Sequence, residues 1–382
     1  MKKRLLCILV ASLTMCVSVC AFAQETSETT QTTEETQTTS LYDMYSTMIN
    51  IDYSGLTPLT LDEAITKTLN SSSTVKQTAS SLELQEDELD IAATELTYSS
   101  GADLNTVIAL IKSQVSYKNS LISQSSEKES IKYSVKQTYI EIIEAQRKLQ
   151  LSAKTLETDK KNLEIAKIKN KMGTLSDQEL KEQQLNYEKN LATITNDEIA
   201  LEADYIALNV RMGVDINNRY SFKLPVEYEE LNLSIPLESY INSTVAQAAS
   251  VKQKENSYNL AKQQFNVTAA TSEVLGSYAS AKNSLNTAEM NVADTKTSVA
   301  ETLRKLYNTI TESETNISND IKELETLKEK LSSLQTKYEM GAASRIDLEQ
   351  AQNDVASKED TIISSFYSHM LNVEKFNKPE LL

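Results

Sequence analysis

The chain of 382 residues has no tryptophan, five phenylalanines, six glycines and four prolines. So little punctuation leaves no room for many short strands and turns, and so little aromatic bulk argues against a thick globular core. Cysteine occurs only as Cys7, Cys16 and Cys20, so everything beyond them lacks a disulfide framework and a thiolate metal site. His369 is the only histidine. Without partners for catalysis or metal binding it reads as a packing or surface residue between Tyr367 and Leu371. No phosphate-cradling glycine loop, Gly-x-Ser-x-Gly elbow or His-Glu-x-x-His segment occurs, so an enzyme is not expected and no cofactor is implied. Positive charge is also short: Lys and Arg number 38 against 54 Asp and Glu, a net charge of -16. Such a balance argues against nucleic acid or an anionic membrane surface as a partner.

What is present begins with Lys2, Lys3 and Arg4, an apolar run from Leu5 to Cys20, and Ala21-Phe22-Ala23 before Gln24. These are the three parts of a secretory signal peptide, expected over 1–23 with cleavage after Ala23. A retained anchor would need about 20 apolar residues, and Val19 is bulky for a lipidation site before Cys20. Residues 24–40 are all Thr, Glu, Gln or Ser, too polar to offset their ordering entropy, and 24–58 is expected to be a disordered linker.

Beyond Pro58 the sequence repeats. Leu61, Val75-Lys76-Gln77 and Leu84 recur 176 positions later as Leu237, Val251-Lys252-Gln253 and Leu260. Further on the offset is 168, so that Tyr139, Leu156, Leu163 and Met172-Gly173 recur as Tyr307, Leu324, Leu331 and Met340-Gly341. The expected organisation is a first helical repeat at 59–213, a connection at 214–235, a second repeat at 236–376 and a tail at 377–382. Helices are expected at 60–98, 102–171, 176–211, 236–274, 277–339 and 344–376, with a short strand near Tyr220 to Leu224.

Apolar residues in the long helix of each copy follow alternating steps of four and three. Val135, Tyr139, Ile142, Leu149, Ala153, Leu156 and Leu163 match Leu303, Tyr307, Ile310, Ile317, Ile321, Leu324 and Leu331. Polar residues fill the two open slots in both, Gln146 with Lys160 and Glu314 with Lys328. A sustained period of 3.5 marks a coiled-coil seam, and the fold class expected is all-α, with long antiparallel hairpins in two tandem repeats. The interleaved charges of 159–171 and 320–330 read as solvated faces with i, i+4 pairs.

Each long helix ends at a glycine followed by a capping box. Gly173 precedes Ser176 and Glu179, and Gly341 precedes Ser344 and Asp347. The turns themselves, Met172, Gly173, Thr174 and Leu175, and Met340, Gly341, Ala342 and Ala343, carry no charge between strongly charged helices, which marks them as candidate docking tips.

The chain resembles the TolC family of outer-membrane efflux channels over about 59–376. The resemblance rests on Leu59-Thr60-Leu61-Asp62-Glu63-Ala64-Ile65, on the loops Lys171-Met172-Gly173 and Tyr338-Glu339-Met340-Gly341, and on Asp347-Leu348-Glu349-Gln350-Ala351-Gln352. It implies a homotrimer enclosing a helical tunnel, with the glycine loops meeting a periplasmic-adaptor-type (membrane fusion) protein and an ABC or proton-driven pump. It also implies strands inserted between the first and second helix of each copy, forming an outer-membrane barrel. Here the joints Thr97 to Ala102 and Leu275 to Tyr278 are too short for strands of about 9–11 residues. A TolC-like tunnel without a transmembrane β-barrel is therefore expected, in the cell envelope or at the extracytoplasmic surface. The rival expectation is a coiled-coil envelope spacer that transports nothing.

Overall fold

A computed structural model describes residues 56–98, 104–222, 224, 228–271 and 275–382. The expected signal peptide and almost all of the expected linker lie outside the described residues. A strand β1 (Thr57–Leu59) leads into α1 (Leu61–Ser71), α2 (Ser73–Tyr98), the long α3 (Leu104–Lys171) and α4 (Asp177–Met212). Strand β2 (Tyr220–Phe222) follows, then α5 (Leu237–Gln247), α6 (Ala249–Thr271), the long α7 (Leu275–Glu339), α8 (Arg345–Asn377) and a 3-10 turn (Pro379–Leu381). At about 1.5 Å per residue, the 68 residues of α3 span about 100 Å.

Two expected helices are each broken in two. Ser72 leaves the helical region and its Oγ accepts from the Val75 amide at 3.2 Å, so it ends α1 and caps α2. Ser71 ties the break to α4 by donating to the Arg211 carbonyl at 2.6 Å. The second break, at Ala248, lies 176 positions after the first and leaves α5 the same 11-residue length as α1. Thr60 opens α1 with a full capping box to Glu63.

The helices pack side by side. In the half that carries the glycine turns, α3 lies between α4 and α8, and α7 lies beyond α8. In the other half α3 lies between α2 and α6, again with α7 beyond. The two long helices thus run the length of the layer, with shorter helices between and beside them. Every apolar residue of both heptad seams is buried or half-buried. Tyr139, Ile142, Leu208, Ile363 and Tyr367 belong to one core cluster, and Ile241, Leu303, Ile310 and Phe376 to a second. Burying such side chains contributes about 1.5–3 kcal/mol each.

β1 and β2 pair in parallel, with Thr57 opposite Tyr220 and Leu59 opposite Phe222. The Tyr139 hydroxyl donates to the Leu59 carbonyl at 2.7 Å, which fastens this sheet to the middle of α3. The joint between α2 and α3 holds five residues and that between α6 and α7 holds three. Neither length admits one membrane-crossing strand. Among the described residues, no helix is long and apolar enough to cross a membrane.

Candidate functional site

The two turns are built alike. Gly173, at φ 75°, donates to the Asn170 carbonyl at 2.9 Å while Thr174 donates to Lys169 at 2.9 Å. Gly341, at φ 72°, donates to Tyr338 at 2.9 Å while Ala342 donates to Lys337 at 2.7 Å. This is the six-to-one and five-to-two pattern that satisfies the last carbonyls of a helix. Ser176 and Ser344 then cap α4 and α8 by accepting from the Glu179 and Asp347 amides at 3.2 and 3.1 Å. Hydrogen bonds from the Ser176 backbone and hydroxyl hold the Glu179 carboxyl below its ordinary range, and the Ser344 hydroxyl and backbone do the same for Asp347.

Met172 and Met340 stand out from these turns, 66% and 70% exposed. Gly173, Thr174, Gly341 and Ala342 are also exposed, whereas Leu175 and Ala343 are half-buried, because each turn folds its last residue back toward its hairpin. Ile168, one helical turn before Met172, and Tyr338, beside Met340, extend the apolar surface. The i, i+4 step from Ile168 to Met172 was the available sequence signal for the first. The turns differ in their side-chain bonds. Asn170 donates to the Leu175 carbonyl at 3.1 Å and to Asp177 at 2.8 Å, while the matching positions of the second turn hold Tyr338 and Arg345.

Between the copies, α3 meets α8 through polar as well as apolar contacts. Lys161 bonds both oxygens of Glu349 at 3.0 Å, Asn353 donates to Thr158 at 3.1 Å, Arg147 pairs with Asp360 at 2.6 Å, and Lys136 pairs with Glu374 at 2.6 Å. Burial pushes the Asp360 carboxyl up and Arg147 pulls it back, while burial likewise raises Glu144 beside them. Polar slots in the heptads are used as well. Gln146 donates to the Tyr205 hydroxyl at 2.5 Å, and Glu314 accepts from the Leu231 amide at 2.6 Å while facing Nε2 of His369 at 3.0 Å. His369 is buried among Tyr228, Glu314 and its own helix, a packing position. Among the described residues, no group of three His, Cys, Asp or Glu side chains is placed to hold a metal ion.

The side of α4 turned away from α3 carries an exposed apolar stripe. Leu185, Ala192, Ile199 and Ile206 recur every seven residues and are exposed, with Val210 one turn further. Ile199 and Val210 are 57% and 61% exposed. On α2, Leu84, Ile91 and Tyr98 are exposed at the same seven-residue spacing. A heptad stripe of this kind is a coiled-coil face without its partner helix.

No family model and no curated protein sequence matches the chain. Solved structures do match. The outer membrane protein VceC of Vibrio cholerae is 11% identical, with a TM-score of 0.63 over 83% of this chain and 95% of that one. The outer-membrane channel OprN is also 11% identical, with a TM-score of 0.64 over 83% and 89%. The CmeC outer membrane channel of Campylobacter jejuni is 12% identical, with a TM-score of 0.57 over 94% of both chains. These neighbours are TolC-family channels, and the chain carries their helical fold.

Proposed function

We propose that the protein is a TolC-like component of an efflux or export system, a homotrimeric helical conduit exported by its leader to the cell envelope. The observation that carries this reading is the uncovered heptad stripe along α4 and α2, on a layer of helices shared in fold with outer-membrane channels. One such layer has only its two faces and two edges, so a lumen requires further copies edge to edge. Substrate passes through such a lumen without chemical change, in keeping with the lack of a catalytic constellation in the sequence. The joints of five and three residues supply no barrel strand, so the end opposite the glycine turns is held by something other than strands inserted there.

The turns are the part of the reading that contacts a membrane-fusion-type adaptor and, through it, an ABC or proton-driven pump. Exposed methionines adapt to varied apolar surfaces, and Met172 and Met340 leave most of their surface open. Met172→Glu with Met340→Glu is expected to leave helix content and melting unchanged, since exposed changes usually shift stability by less than about 0.5 kcal/mol, yet to abolish adaptor binding. Full-strength binding by this variant would move the contact elsewhere. End-on electron microscopy of the purified protein tests the conduit itself. Rings with a central lumen are expected, and solid rods would support the rival reading of an envelope spacer.

A further inference from the structure

The two glycine turns have little sequence in common. Positions 170–175 read Asn, Lys, Met, Gly, Thr and Leu, and their images 168 residues on, 338–343, read Tyr, Glu, Met, Gly, Ala and Ala. Only Met and Gly recur. The left-handed backbone accounts for Gly173 and Gly341. Turn geometry does not account for Met172 and Met340. Each donates its amide to the helix behind it, to the Ile168 carbonyl at 3.0 Å and to that of Thr336 at 3.1 Å, a bond that any residue except proline makes. A leucine would present a comparable apolar surface. What methionine adds is a thioether sulfur.

The side chains that carry this sulfur are open to solvent, on a backbone that is fixed. Met172 and Met340 are 66% and 70% exposed, and the bonds that close each helix hold the turns beneath them. Among the other described methionines, Met212 is 3% exposed, Met370 is half-buried, and Met290 is 65% exposed. Met290 lies between Glu289 and Asn291 in α7, away from the turns. No cysteine follows Cys20, so beyond that residue methionine is the only sulfur that an oxidant can reach.

We propose that Met172 and Met340 are sites of reversible sulfoxidation, and that oxidised turns no longer hold an apolar partner surface. The oxidant is a peroxide. A sulfur lone pair attacks one oxygen of hydrogen peroxide, and the S–O bond forms as the O–O bond breaks. The proton of the transferred hydroxyl passes to the departing hydroxide, which leaves as water. Sulfur loses two electrons and the peroxide gains them. Methionine sulfoxide reductases reverse the step with two thiols, which join as a disulfide while the oxygen leaves as water.

Oxidation changes the property that the turns present. A sulfoxide oxygen is a hydrogen-bond acceptor that holds water, so covering it with an apolar surface is unfavourable. The fold is untouched, because the turns are closed by backbone bonds and by Ser176, Glu179, Ser344 and Asp347, none of which involves sulfur. Contact is thus altered without unfolding. This rests on the docking reading of the turns and adds its regulation.

Treating the purified protein with dilute hydrogen peroxide tests the site, with phenyl-agarose as the apolar surface. Peptide mass mapping should show one added oxygen on Met172 and on Met340, at about the rate of Met290. Both should react about twentyfold faster than Met212, in the ratio of their exposures. Retention on phenyl-agarose should fall as the turns oxidise and return after treatment with the reductases. Met172→Leu with Met340→Leu should be retained like the parent and keep that retention in peroxide, although Met290 still oxidises. Turn methionines as slow as Met212 overturn the proposal. So does an oxidised parent with unchanged retention, or a leucine variant that loses retention as the parent does. Full-strength adaptor binding by Met172→Glu with Met340→Glu overturns the docking reading, and the role of the oxidation with it, whereas the mapping judges the site itself.

Discussion

Gly173, Gly213 and Gly341 share a left-handed backbone but not its surroundings. A Cβ at Gly173 or Gly341 would meet nothing within 4 Å, whereas at Gly213 it would lie 2.9 Å from Cβ of Ser71. Gly173→Ala should therefore cost only the left-handed strain, about 1 kcal/mol, and Gly213→Ala about 2 kcal/mol or more, as measured by urea unfolding. Equal costs would mean that α1 does not press on the end of α4. Tyrosine reports on the same core. Burial pushes Tyr205, Tyr228 and Tyr367 up to about 12, against an ordinary value near 10. Since the folded pKa is the higher one, their contribution to stability is complete below about pH 10 and is lost as pH rises toward about 12. Alkaline absorbance titration should show a late group of tyrosines that joins the main one on unfolding. A single transition near pH 10 in the folded protein would contradict their burial. The turn glycines and their capping serines were legible in the sequence because a positive φ and a Ser-x-x-acid box each have a residue signature. The contact of Gly213 with Ser71, and the half-burial of Leu175 and Ala343, depend on how separate segments meet and carry no local sign.

Helices α4 and α8 begin at reciprocal caps, and the caps set how firmly each hairpin closes. Ser176→Ala and Ser344→Ala should each cost about 1 kcal/mol, read from thermal unfolding. Because Glu179 and Asp347 titrate below their ordinary values when folded, the caps are complete at neutral pH and weaken as pH falls through those lowered values. Hydrogen exchange at the first turn of α4 and α8 should therefore quicken in acid, and quicken at every pH in the two alanine variants. Exchange indifferent to both changes would remove the caps from the account. Helix ends came within a few residues of expectation because glycine, proline and cap residues punctuate a clean heptad pattern. The break at Ser72 had a signal in Ser71-Ser72-Ser73, whose hydroxyls compete for backbone groups. That at Ala248 had none in its own residues, since Ala favours helix, and only its place 176 positions after Ser72 marks it.

For the molecule as a whole, heptads state which side of a helix is apolar but not which helix covers it. The seams of α3 and α7 were readable for that reason, while the polar joint of α3 with α8 was not, since Arg147, Asp360, Thr158 and Asn353 are residues of an ordinary solvated surface. At this joint the structure encloses charged side chains as pairs. The same limit applied to the stripe on α4. Leu185, Ala192, Ile199 and Ile206 look like core in the sequence, and only the packed layer shows that nothing in the described chain covers them. The account rests on that stripe being covered by further copies. Light scattering of the purified protein, with the mass of its single denatured chain as the unit, measures this most directly. The account predicts a particle of three chains that persists on dilution. A particle of one chain, with Ile199 and Val210 still open to solvent, would contradict it.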